Sequence, residues 1–177
     1  DIVFCKLNEF KEDGKRVLLP MTINEGMLNP VVTVMGIGTQ TLVAHSYVFK
    51  NLRFDPEFPR FQELELLYRA SKSFSIYCIG EGLVDYYIGK DSISSNPEKL
   101  YNACLLMRTK HPELEKYMPQ LERDLGSCLK TAGVNAYRVG NENYKKYIYE
   151  AGKFNRTLKM KIIVMLARMN MLKIFYK

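Results

Sequence analysis

The chain is poor in the residues that most often do chemistry. It has only two histidines and four cysteines, and no local motif joins them. Cys5, Cys78, Cys104 and Cys128 form no C-x-x-C pair, so the spacing is wrong for a zinc site. Cysteines so far apart in a chain of this length read as buried thiols of a reducing compartment, not as a disulfide framework. There is no H-E-x-x-H, and the acids follow no calcium-loop pattern. Gly36-Ile37-Gly38 lacks the third glycine of a dinucleotide fingerprint. It is followed by β-prone residues, Thr39 to Val43, where a phosphate site needs a helix N-terminus. These glycines are therefore read as turn residues. The longest strictly apolar run, Ile162 to Ala167, is far too short to span a bilayer. Asn155-Arg156-Thr157 matches a glycosylation sequon, which counts only in a secreted chain, and no secretory signal pattern is read in the first residues.

These absences leave no metal, no cofactor and no catalytic residue to expect. His45 is expected as a hydrogen-bonded structural histidine within a strand, and His111, before Pro112, as a helix-boundary residue. A Cys-His or Ser-His pair assembled only by the fold stays open, because such partners need not be neighbours in sequence. An enzyme of unrecognised type therefore remains a second alternative.

What the chain has is charge of one sign in one place. Residues 141–177 hold nine Lys or Arg and two Glu, a net of +7 that equals the charge of the whole chain. The preceding residues are thus neutral on balance. A basic surface favours an acidic partner: nucleic acid, an acidic protein face or an anionic membrane. Hydrophobic residues make up 47% of the chain, enough for a core, and a mean hydropathy of −0.20 argues against a chain that is mostly membrane or mostly disordered.

The first half reads as sheet. Ile2 to Leu7 and Arg16 to Leu19 are β-prone, with Asp13-Gly14 between them to turn a hairpin. Val31 to Met35 predicts a strand. Thr41 to Phe49 predicts another, apolar on both faces and therefore either central or covered on both sides. Phe61 to Ser71 predicts a short helix. Ser73 to Ile79 and Leu83 to Ile88 read as a second hairpin closed by Gly80-Glu81-Gly82. The paired acids here, such as Glu63 with Glu65, define no constrained site.

The second half reads as helices. Ser95 with Glu98 has capping-box spacing, and Pro97 suits a first helical turn. Leu100, Ala103, Cys104 and Met107 form the inward stripe of a helix ended by His111-Pro112. Another begins there, with Pro119 marking a kink or a fresh N-terminus, and Ala132-Gly133 is expected to end it. Val134 to Val139 reads as a short strand or turn. Glu142 to Ala151 predicts a helix ended by Gly152, and Arg156 to Tyr176 one long last helix. Its apolar residues lie on two arcs, as for a helix packed on two sides.

The expected fold is α+β: a mixed or antiparallel sheet from about 1–92 packed against a basic helical part from about 95–177, in a single domain. The expected function is non-enzymatic, intracellular (cytoplasmic or nuclear) binding of RNA or another nucleic acid, with assembly. Arg138, Lys145, Lys146, Lys153, Arg156, Lys159 and Lys161 would meet phosphates, while Tyr144, Tyr147 and Phe154 would stack on unpaired bases. Met165, Met169, Met171, Leu172 and Tyr176 are expected at an interface with another protomer or protein, because methionine adapts to variable partners. The alternative is a scaffold or adaptor whose last helix meets a protein or, peripherally, an anionic membrane.

Overall fold

The computed structural model describes all residues except 11–13, 22, 29–35, 88–95, 115–118, 175 and 177. The strand expected at Val31 to Met35 and the cap expected at Ser95 lie outside the described residues. The chain is α+β, with an N-terminal mixed sheet that curls into a half-barrel and a C-terminal helical part. It divides into two compact units, Asp1–Glu57 with Phe61–Ser92, and Phe58–Arg60 with Ile93–Lys177.

In the first unit the central strand is β1 (Ile2–Phe10). Along one edge it pairs antiparallel with β4 (Leu42–Ala44) through Ile2 to Phe4 and with β2 (Arg16–Leu19) through Leu7 to Phe10. Its other edge pairs in parallel with β5 (Ile76–Tyr87), which in turn pairs antiparallel with the two-residue β3 (Gly26–Met27). The β1–β2 hairpin is the one its turn residues predict, and Gly14 has a positive φ of 78°.

Two strand expectations are corrected. Thr41 to Phe49 is not the central strand. Residues Leu42–Ala44 pair with β1, and the chain then turns at His45 into helix α1 (Ser46–Asn51). The register explains this: β4 runs antiparallel to β1 with Ala44 opposite Ile2, the first residue of that strand, so beyond Ala44 the chain passes the end of its partner. Nor is Gly80-Glu81-Gly82 a hairpin turn, because β5 runs through it as one strand. The register to β1 slips at this level, from Cys5↔Ile79 to Lys6↔Gly82 and Leu7↔Val84. The glycines thus serve a bulge. Asn8 holds it: its amide donates to the Gly82 carbonyl (2.9 Å) and to Asp85 Oδ1 (2.7 Å), and its Oδ1 accepts from Arg16. A Cβ on Gly82 would strike that Asn8 side chain.

The expected helix at Phe61 to Ser71 is α2 (Gln62–Ala70). With α1 it covers the sheet, placing Val48, Leu67 and Ala70 against Ile2, Phe4, Ile76 and Cys78 in one core. Each of the larger side chains there gains about 1.5–3 kcal/mol from burial. Glu65 is buried, but Arg69 Nη2 donates to its Oε2 at 2.6 Å, one turn along the helix. That carboxylate has a structural role.

The second unit begins with α3 (Pro97–Lys110). Asn96 caps it: its Oδ1 accepts from the N–H groups of Glu98 (2.9 Å) and Lys99 (3.0 Å). The stripe of Leu100, Ala103, Cys104 and Met107 is buried as expected, and the helix ends at His111. Pro119 stands at the N-terminus of α4 (Pro119–Arg138).

Helix α4 does not stop at Gly133, and Val134 to Val139 is not a strand. The helix runs on to Arg138, where Gly140 (φ 70°) turns the chain and the Asn141 N–H reaches back to the Ala136 carbonyl at 2.8 Å. This left-handed closure satisfies the last carbonyls. Helix α4 packs on both α3 and α5 (Tyr144–Phe154). On the α5 side, a Cβ added to Gly133 would lie 2.7 Å from Ile148 Cδ1, and one added to Gly126 would lie 2.8 Å from Phe154 Cβ. These glycines, one heptad apart, are where two helices touch.

Gly152 likewise lies inside α5, facing Val164 of α6 (Leu158–Arg168). The last helix is also shorter than expected. Asn170 takes a positive φ of 57°, and Leu172–Ile174 forms a separate turn of 3₁₀ helix.

Candidate nucleic-acid interface

Helices α5 and α6 meet at a corner of three residues. The Asn155 N–H donates to the Ala151 carbonyl at 2.9 Å, closing α5. Its Oδ1 accepts from the Thr157 N–H at 3.2 Å, and the Thr157 hydroxyl accepts from the Met160 N–H at 3.4 Å, opening α6. Both helices are amphipathic. Helix α5 buries Tyr147, Ile148, Ala151 and Phe154, while α6 buries Met160, Ile163, Leu166 and Ala167. The spacings of three and four keep each buried set on one face. The lysines and arginines are left outside.

In the angle between the two helices is an open groove of about 620 Å³. Tyr149, Glu150 and Lys153 line it from α5, Lys161, Met165 and Arg168 from α6, and Asn155 from the corner. Lys153 Nζ lies 2.6 Å from Glu150 Oε1, so one of the three cations has an acid partner. The Arg168 guanidinium lies 5.5 Å from the centre of the Tyr149 ring, a cation–π approach. Beyond Lys153 and Asn155 the surface continues into a smaller depression of about 370 Å³ that adds Glu122, Arg123, Arg156 and Thr157. Cations, an amide, a hydroxyl and the acids Glu150 and Glu122 thus line a track that joins at Lys153 and Asn155, with the Tyr149 ring along one wall.

The structure gathers only some of the residues the sequence suggests. Lys153 and Lys161 share the groove, and Arg156 lies in the adjoining depression. Lys159 is exposed on α6, and Arg138 is exposed at the end of α4. Lys145 lies 6.0 Å from the Tyr144 ring, and Lys146 lies 4.5 Å from the Tyr101 ring. Tyr144 is half-buried, donates to Asn170 Oδ1 at 3.0 Å and stands edge-on to Tyr137.

Two of the expected base-stacking rings are core residues. Tyr147 is 1% exposed and tilts against Tyr101 at 5.0 Å, and Phe154 is 6% exposed beneath Arg108. Their place on the inner face of α5 closes them off from a ligand. Among the interface residues, Met165 and Met169 are exposed, Met171 and Tyr176 are half-buried, and Leu172 is fully buried. Tyr149, Asn155 and Arg168 were not among the expected site residues. Tyr149 follows Tyr147 by two, which puts the two rings on different faces of the helix. That offset was the available signal.

Burial pushes the phenols of Tyr101, Tyr144 and Tyr147 above the ordinary tyrosine value, with nearby Glu150 adding to the effect at Tyr101. Burial likewise raises Cys78 and, strongly, Cys104. His45 is exposed outside α1 with its ring 4.4 Å from that of Tyr47, and His111 is buried at the end of α3. Among the described residues no group of three or more His, Cys, Asp or Glu is placed to hold a metal ion. No described helix is long and apolar enough to cross a membrane. No protein-family model matches the chain, and no curated protein matches it.

Proposed function

We propose that the helical unit binds single-stranded nucleic acid along the α5–α6 groove, with RNA as the first ligand to test. The observation that carries this reading is the groove itself, which Lys153, Lys161, Arg168 and Asn155 line together with Tyr149. Cations neutralise phosphates without reading sequence, and an aromatic ring offers any base a stacking surface, so the combination suits an unpaired strand. An open trough of this size accommodates a few nucleotides of a continuous chain. The distribution of charge agrees: α6 contains no acidic residue.

The test is fluorescence anisotropy with a labelled oligouridylate over a range of salt. If Lys153, Arg156, Lys161 and Arg168 each neutralise one phosphate, log K falls with log salt at a slope of about −3, since each contact contributes about −0.7 on a single strand. Lys161→Ala and Arg168→Ala should each weaken binding and make the slope shallower by about 0.7. Tyr149→Ala should weaken binding without changing the slope. Absence of binding at low salt, or affinity unchanged in all three variants, overturns the assignment.

A further inference from the structure

We propose that the outward face of α6 docks on an anionic lipid surface. Leu158, Ile162, Met165 and Met169 are 75%, 37%, 52% and 58% exposed. At 100° per residue they fall within about 60° of one another. They form one apolar stripe along the full helix, on the side opposite buried Ile163 and Ala167. Exposed Lys159 lies on one flank and exposed Lys161 and Arg168 on the other, while α6 carries no acidic residue. Among the described residues, nothing covers these four large apolar side chains.

The composition of the stripe and its flanks selects the occupant. Phosphates gain nothing from aliphatic and thioether groups, so nucleic acid accounts for the cations but not for the stripe. A second copy docked by two-fold symmetry would bring cations against cations with no carboxylate on α6 to offset them. A bilayer surface satisfies both parts: the stripe enters the boundary between headgroups and acyl chains, and the flanking cations extend on flexible stems to anionic headgroups. The four apolar residues span about 16 Å at 1.5 Å per residue, too short to cross a bilayer but suited to lying in its surface. This inference goes beyond nucleic-acid binding, and either one can fail without the other.

Flotation of the full chain with vesicles of phosphatidylcholine, or of phosphatidylcholine mixed with phosphatidylserine, tests it without nucleic acid present. The protein should float with the mixed vesicles and not with the neutral ones. Each of Lys159→Ala and Lys161→Ala should weaken that binding about fivefold, as for one cation near a charged leaflet. The Met165→Ser/Met169→Ser variant, which keeps every charge and changes only exposed side chains, should weaken it at least as much. No flotation with mixed vesicles overturns the proposal. So does flotation that Met165→Ser/Met169→Ser leaves intact, which would mean adsorption by charge alone. Equal flotation with neutral vesicles, or a dimer in solution that the same variant dissociates, also overturns it.

Discussion

Replacing Gly133 by alanine tests the close approach of α4 to α5, which positions every residue of the basic groove on the α5 side. Two effects of opposite sign compete. In an exposed helix, alanine in place of glycine would stabilise by about 1 kcal/mol. Here the new Cβ would lie 2.7 Å from Ile148 Cδ1, 2.8 Å from Ile148 Cγ1 and 3.2 Å from the Ile148 backbone nitrogen. Ile148 is fully buried, so its side chain has no space to vacate, and the backbone contact can be relieved only by moving the helix. Overpacking of this kind costs about 1–3 kcal/mol. The net expectation is a loss of about 1 kcal/mol in urea unfolding followed by far-UV circular dichroism. Ile148→Val removes Cδ1 and by itself should cost about 1 kcal/mol. In the Gly133→Ala background it should cost less, and that coupling identifies the contact. A Gly133→Ala protein more stable than the wild type would refute the reasoning, since helix propensity would then outweigh a clash that does not exist.

Two further expectations concern buried groups. The Tyr147 hydroxyl is buried and has no hydrogen-bond partner among the described residues, so Tyr147→Phe should raise stability by about 1 kcal/mol. Because burial raises the folded-state value of this phenol, its titration leaves stability unchanged below the ordinary tyrosine value and lowers it as pH rises from there through the raised folded value. Tyr147→Phe should therefore lessen alkaline destabilisation, and a variant less stable than wild type at neutral pH would refute both points. Cys104 is fully buried with a raised thiol, whereas Cys128 is half-exposed. Since the thiolate is the reactive form, iodoacetamide on the native protein followed by mass spectrometry should label Cys128 well before Cys104, and equal rates would contradict the packing of α3.

The sequence itself determined the class of the fold, the hairpin of β1 with β2, helix α2 and the inward stripe of α3, and it narrowed Pro119 to a kink or a helix start. Each rests on a local rule: the period of apolar residues, a turn glycine or a helix-starting proline. It also located the charge, because a count of Lys and Arg does not depend on folding. The tertiary structure decided what the glycines do. Gly80 and Gly82 resemble a hairpin turn, and Gly133 and Gly152 resemble helix ends, because a glycine that breaks an element and one that admits a neighbour are locally alike. The neighbour is β1 for the bulge of β5, α5 for Gly133 and α6 for Gly152. The same lack of neighbours in the sequence made Tyr147, Phe154 and Leu172 look available to partners, and left Tyr149 and Arg168 unmarked. Alternating cations and rings show that a segment is basic and aromatic. Only the packing of α5 on α4 shows which rings are core and which remain beside the groove.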